Sequence, residues 1–466
     1  MKYGDELELS IEKLAFEGKA IAHAGELVVF VEGALPGDTA RVKIIKKKKN
    51  FAEARAIEIL SPSPDRISPQ CMHFGACGGC KWQHLAYTAQ CEWKRTHVAE
   101  SFEHIGELHS IPVLPTIPCA QQFYYRNKME FSFSTSRWRV ENDINEKNDD
   151  GFTLGLHVPN NYAKVLHIEQ CLLQSENSNL VLRSVRNFIR ANGLTVYNNK
   201  LHEGYLRFLT IRDSKKTGDM MVNIVTSEDK PDIMEMFTQH LVKECPFITT
   251  VVNNINTRLA QIAFGESEKV YVGEGFIRER IGVLEFVISA NSFFQTNTKQ
   301  AEILYSTAKD FGDFRREDVV WDLYCGTGTI AMYVADAVQK VIGVEQTASA
   351  IADAKRNAEH NKISNVEFIC GDVKETLLQS KSGVQHINFP DCVIIDPPRS
   401  GMHPDVVKEL LNVAPERIVY VSCNPATQAR DLKILSEKYA IEKVQPVDMF
   451  PHTYHIEAVA KLTKKS

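Results

Sequence analysis

Val319-Val320-Trp321-Asp322-Leu323-Tyr324-Cys325-Gly326-Thr327-Gly328-Thr329-Ile330 reads as an apolar strand, a Gly-x-Gly turn and the start of a helix. Glycines at the carboxyl end of a strand let a ligand come close to the backbone. The next apolar run, Val341-Ile342-Gly343-Val344, ends in Glu345. An acid there can accept hydrogen bonds from both ribose hydroxyls of an adenosine-containing ligand. The three-glycine fingerprint of a pyrophosphate cradle is absent, so S-adenosylmethionine, which has no phosphate, is expected rather than NAD. Gly371-Asp372, after the third strand, is a candidate adenine contact. Outward from this stretch, strand-like runs at 318–324, 340–344, 366–369, 392–395 and 417–421 alternate with helical runs at 330–337 and 348–362. Such alternation predicts α/β architecture with a parallel, doubly wound sheet.

The chain has 466 residues, enough for about three domains. An apolar fraction of 44% and a charged fraction of 24% exclude wholesale disorder. Net charge is −5, which exerts no overall pull on a polyanion. Local charge differs: Arg41, Lys43, Lys46, Lys47, Lys48, Lys49 and Arg55 face one nearby acid, Glu53. No apolar run approaches the roughly 18 residues of a membrane span, and the N-terminus lacks a secretory apolar core. A cytoplasmic protein without a membrane partner is expected, and a monomer.

Residues 1–62 read as short strands (7–11, 27–31, 39–45 and 51–60) punctuated by Gly18, Gly25, Gly33 and Gly37. That pattern predicts a small antiparallel barrel of a kind that binds oligonucleotides. Lys46–Lys49 is placed in a loop between the third and fourth of these strands, and Ser61-Pro62-Ser63-Pro64 is a linker. Mixed α+β pattern runs over 63–285, with a helix over 88–106 and an exposed hairpin loop at 141–150. Residues 286–466 form the doubly wound domain.

Eleven cysteines is an odd count without secreted-framework spacing. In a reducing compartment, clustered thiols point to metal or catalysis. Cys71-x5-Cys77-Gly78-Gly79-Cys80 puts three thiols within ten residues, with glycines that let the backbone wrap closely. Cys171 is a candidate fourth ligand from a distant loop, with Cys91 and Cys119 nearer in sequence. Four thiolates suit tetrahedral zinc or a 4Fe–4S cluster; three clustered plus one remote favours the cluster.

Three further groups carry chemistry. Val393-Ile394-Ile395-Asp396-Pro397-Pro398-Arg399 puts a carboxylate at the end of the fourth strand, facing the ligand crevice. Val419-Tyr420-Val421-Ser422-Cys423-Asn424-Pro425 presents Cys423 after its apolar run, as expected of a nucleophile rather than a core thiol. Glu457 enters the strand Ala458-Val459-Ala460, where an acid is costly unless paired or functional.

With these motifs together, the chain resembles the bacterial RNA (uracil-5-)-methyltransferases, especially the ribosomal-RNA branch with an N-terminal TRAM barrel and an iron–sulfur cluster. The likeness covers nearly the whole length. It rests on Cys-x5-Cys-Gly-Gly-Cys, Asn291-Ser292-Phe293-Phe294-Gln295-Thr296-Asn297, Asp-Leu-Tyr-Cys-Gly-Thr-Gly-Thr, Asp-Pro-Pro-Arg, Ser-Cys-Asn-Pro and His-Ile-Glu. The resemblance implies a Rossmann-like class I methyltransferase domain with S-adenosylmethionine, and a 4Fe–4S cluster on Cys71, Cys77, Cys80 and Cys171. It implies Cys423 as nucleophile and Glu457 as base. Gln295, Tyr324, Glu345 and Asp396 would line the cofactor and base pocket, with Thr329 and Asp372. Thr329 stands where relatives often carry asparagine. The implied substrate is RNA, 23S rRNA ahead of tRNA.

Uracil C5 is too weak a nucleophile to take a methyl group directly. A thiolate adding at C6 would make it one, a donor (Arg399, backbone amides or protonated Asp396) would hold the O4 charge, and a base would remove the C5 proton. The target base must leave its stack, with Phe293 either a stacking partner or a core residue. Rival readings are an iron–sulfur redox protein, an exocyclic-amine methyltransferase suggested by Asp-Pro-Pro, and a non-catalytic RNA-binding protein.

Overall fold

The computed structural model describes residues 1–140, 151–159, 161–382 and 389–465; the expected loop at 141–150 lies outside them. The first five strands are β1 (Glu6–Leu14), β2 (Ala20–Ala24), β3 (Leu27–Glu32), β4 (Thr39–Lys47) and β5 (Phe51–Ser61). They close into a barrel in the order β1-β2-β3-β5-β4. Alternation builds it: Leu9, Ile11, Val29, Val31, Val42 and Ile44 point inward, and Trp82 and Leu85 complete the core from outside. β2, rich in alanine, is a strand that composition alone conceals. The lysine run departs from the expected loop. Lys46 and Lys47 finish β4, because Lys46 lies opposite Glu53 of β5 and pairs with it at 2.6 Å.

The central sheet comprises β6 (Lys128–Ser134), β7 (Arg137–Trp138), β8 (Thr153–Val158), β9 (Asn161–His167), β10 (Leu206–Asp213), β11 (Met220–Thr226), β12 (Thr250–Ile255) and β13 (Ser267–Val272). Its order is β13-β12-β11-β10-β6-β8-β9-β7. Helices Glu176–Asn192 and Pro231–Glu244 pack Val181, Val185, Met234 and Leu241 against Phe131, Leu209 and Val222. A hairpin, β14 (Phe276–Ile281) and β15 (Leu284–Ser289), follows and packs on the helix Ala348–His360. Its strands pair across residue 285, where sequence pattern alone had drawn a domain boundary.

The last sheet contains β16 (Val319–Leu323), β17 (Lys340–Glu345), β18 (Val366–Cys370), β19 (Cys392–Ile395), β20 (Arg417–Ser422), β21 (Tyr439–Val447) and β22 (Glu457–Lys464). The order is β18-β17-β16-β19-β20-β22-β21, with β16 to β20 parallel and β22 antiparallel to both neighbours. Val320, Ile394 and Val419 face one core; Trp321, Val393 and Ile395 face the other. Helices cover both faces. One of them, Tyr87–His104, comes from the segment expected to be central, yet its Val98 and Phe102 pack under this sheet. The order reverses at β16, between β17 and β19, which is where open α/β sheets bind ligands.

Candidate active site

A cleft of about 1320 Å3 opens at that switch point. Its walls include all eight side chains picked out for cofactor and catalysis: Gln295, Tyr324, Thr329, Glu345, Asp372, Asp396, Cys423 and Glu457. Tyr324 follows β16 in the left-handed region at φ 64°, which starts the turn. Gly328 also has positive φ, and a Cβ there would lie 2.6 Å from the Phe368 ring, so the turn excludes any side chain. Glu345 is fixed by the amides of Thr347 and Gly326, at 2.8 and 3.3 Å. Thr329 shares a hydrogen bond of 3.0 Å with the Tyr305 hydroxyl. Asp372 accepts from the Glu375 amide at 3.1 Å and so caps the next helix while lining the cleft.

Asp322 is a site residue that the strand reading passed over. One carboxylate oxygen accepts from the Ala331 amide at 2.9 Å, and the other is buried without a hydrogen-bond partner among the described residues. Burial pushes its ionisation well up, with Asp396 and Glu345 adding to the effect. The signal was present in sequence as an acid inside an apolar strand. An orphaned buried acceptor and an anchored acid on adjacent strands suit a polar ligand carrying hydroxyls and an ammonium group, as S-adenosylmethionine does.

The reacting end is set by strand register. Ser422 of β20 pairs with Ala458 of β22, which brings Cys423 alongside Glu457. Asn424 caps the helix Pro425–Leu435 through its side chain, which also donates to the Arg399 carbonyl at 3.1 Å. That bond ties the Ser-Cys-Asn-Pro turn to the Asp-Pro-Pro-Arg turn. Burial raises Asp396 to about 7 and holds Glu457 well above the usual carboxylate range, with Asp396 pushing it further and Arg399 pulling back. Burial, Glu457 and Asp396 likewise push the Cys423 thiol up to about 11 against Arg399. These shifts favour the protonated forms of the thiol and of Glu457, and bring Asp396 close to neutrality.

Gln295 sits in the segment before the helix Thr298–Gly312. Buried Asn127 holds that segment: its side chain donates to the Gln295 carbonyl at 2.9 Å and to Thr298 Oγ1 at 2.8 Å, and its amide donates to the Thr296 carbonyl at 2.8 Å. Nothing in the sequence pattern marks Asn127. Phe294 fills the core whereas Phe293 is 71% exposed at the cleft, which leaves the second ring free.

The four cysteines expected to act together do line one cavity, of about 210 Å3, with Met129, Leu156 and Ile168 but also Arg126, Glu130 and Gln83 in its walls. Gly78 allows this packing, since a Cβ there would lie 2.7 Å from the His157 carbonyl. Asn179 fixes the remote member, accepting from the Cys171 amide at 2.9 Å and donating to its carbonyl at 3.0 Å. All four thiols are free, and burial pushes Cys77 and Cys80 up to about 12. Cys91 and Cys119 lie elsewhere, near Asp448. Among the described residues no three acid, histidine or cysteine side chains converge on a single-ion site.

Comparison with known proteins gives this geometry a context. A family profile described as tRNA (Uracil-5-)-methyltransferase matches residues 127–465, and a TRAM domain profile matches residues 2–57. The chain is 45% identical to an uncharacterized RNA methyltransferase of Chlorobaculum tepidum over 98% of its length and 96% of that relative. It is 42% identical to one of Bacteroides thetaiotaomicron, over 96% of this chain and 99% of the other. Among solved structures it is similar to the Pyrococcus abyssi tRNA (uracil-54, C5)-methyltransferase in complex with S-adenosyl-L-homocysteine. That match has a TM-score of 0.77 and 30% identity, and covers 98% of this chain and 100% of the other. The chain belongs to the tRNA (uracil-5-)-methyltransferase family, as an S-adenosylmethionine-dependent RNA methyltransferase with an N-terminal TRAM barrel.

Proposed function

We propose that the protein methylates C5 of one uridine in RNA through a transient bond between Cys423 and C6 of the base. The observation that carries the reading is the β20–β22 register, which sets a cysteine and a buried acid side by side at the mouth of the cofactor cleft. S-adenosylmethionine, when bound, supplies an electrophilic methyl group. Cys423, once its proton has passed to solvent, adds at C6 and pushes electrons towards C5 and O4. Protonated Asp396, Arg399 or the turn amides hold the charge on O4. Glu457, as carboxylate, then takes the C5 proton so that the thiolate can leave. Burial favours the protonated form of Glu457, which must therefore pass a proton to solvent before the last step. The exposed ring of Phe293 receives the flipped base.

Attack and release are separate duties, and two variants separate them. Cys423→Ala binds RNA and forms no adduct, whereas Glu457→Gln accumulates a covalent protein–RNA complex on a denaturing gel. Normal turnover by Cys423→Ala would overturn the mechanism. The substrate we favour is 23S rRNA, on the resemblance to the branch with barrel and cluster. A tRNA substrate is the second reading, favoured by the full-length likeness to the P. abyssi tRNA enzyme, barrel included. Mapping 5-methyluridine in both RNAs from cells lacking the gene decides between them.

The cysteine cavity we assign to a 4Fe–4S cluster. A cavity of about 210 Å3 is larger than one zinc ion needs, and suits a larger group instead.

A further inference from the structure

The loop before β22 carries a ring that methyl transfer does not use. Tyr454 is half-buried, and its ring lies 4.4 Å from that of His455 at 42°. His455 lines the reaction cleft together with Phe450, Cys423 and Arg399. Burial pushes His455 down to about 4, so at neutral pH its ring is an uncharged aromatic wall.

On its other side Tyr454 meets the barrel. Its Cβ is 3.5 Å from where a Cβ on Gly18 would be, and the Phe16 ring is 6.5 Å away, edge-on. Lys81 and Trp82, beside the cysteine loop, bind the His452 carbonyl at 2.9 and 3.0 Å. Tyr162 of the central sheet, 84% exposed, is near enough to act on the Tyr454 phenol. The Tyr454 ring thus stands where all three units meet, between the TRAM barrel and the cleft. Arg399, near enough to act on the Tyr454 phenol, lines the cleft.

We infer that Tyr454, backed by His455, is a stacking platform for the nucleotide adjoining the target uridine, and carries the RNA strand from the barrel to the cleft. This rests on the reading that the target base enters the Cys423 cleft. A flipped base breaks its stack with a neighbour, and that neighbour regains a stacking surface on an aromatic side chain placed at the entrance. Phe293 lines the same cleft, so a strand between the two rings has one base inside and one resting outside.

The test uses the full chain with a short oligouridylate carrying one 2-aminopurine, whose fluorescence falls when it stacks on a ring. Wild type and Tyr454→Phe should quench it and bind alike. Tyr454→Ala and Tyr454→Leu should lose the quench and bind about 5- to 150-fold more weakly, the range expected for one base–aromatic stack. On RNA from cells lacking the gene, the same two variants should raise KM for RNA and leave KM for S-adenosylmethionine alone. Recovery with leucine would mean that Tyr454 only packs against Phe16 and the Gly18 turn, and would overturn the proposal, as would unaltered quenching by Tyr454→Ala. A protein that methylates uridine without quenching rejects the platform alone; one that quenches without making 5-methyluridine rejects the reaction alone.

Discussion

Asp396 shows how a single residue can trade stability for chemistry. Asp396 is half-buried just after β19, and removal from water moves its ionisation from 3.8 to about 7. Above pH 7 the folded protein must hold a buried charge that the unfolded chain holds in water. The difference costs up to about 4 kcal/mol, from roughly three pKa units at 1.36 kcal/mol each. Below the unfolded value both states are protonated and the cost vanishes, so stability falls as pH rises from about 4 to 7. Asp396→Asn should therefore be more stable than wild type at pH 8, by up to about 4 kcal/mol in urea melts, with the gain gone at pH 4. An equal gain at both pH values would mean that packing rather than charge is responsible. Asp396, Cys423 and Glu457 were legible in the sequence because each breaks the pattern of an apolar strand. Asn127 and Tyr454 break no pattern; their importance lies in contacts between distant segments.

At the scale of elements, β16, β19 and β20 were readable because strands buried on both faces appear as continuous apolar runs. The packing of the helix Tyr87–His104 was not. Lys94 on that helix is fully buried and pairs with Asp448 at 2.6 Å, which ties the helix to the loop leading to Glu457. Sequence shows where such a helix lies but not which sheet it packs on. The two cysteine loops make the same point, since Cys171 reaches the Cys71–Cys80 loop only through the fold. Because only the fold gathers the four cysteines round one cavity, a centre that they ligate would bind the folded chain far better than the unfolded one. Protein purified without oxygen should carry about four irons and matching sulfide per chain. Cys171→Ser should lose most of that iron and melt at lower temperature, even where its binding of S-adenosylmethionine is unchanged. One zinc per wild-type chain, or iron retained by the variant, would sink the cluster assignment.

For the molecule as a whole, a net charge of −5 means that RNA affinity depends on where cations stand, not on how many there are. The barrel's lysine run divides on inspection. Lys46 is committed to Glu53, and Lys47 donates to the Met1 carbonyl at 3.0 Å. Lys48 and Lys49, in the turn after β4, have no ion-pair partner among the described residues and are exposed. A lysine already neutralised by an acid releases few counterions from RNA, whereas a free one releases nearly its full share. On a log–log plot of affinity against salt, each phosphate contact contributes about 0.7 to the slope for single strands and about 0.9 for duplex. Replacing both Lys48 and Lys49 with Gln should thus flatten the slope by roughly 1.4 to 1.8, while Lys46→Gln should change it little. If instead the double variant keeps the wild-type slope, the turn is a solvated end of the barrel, and RNA is held by the cleft and its rim alone.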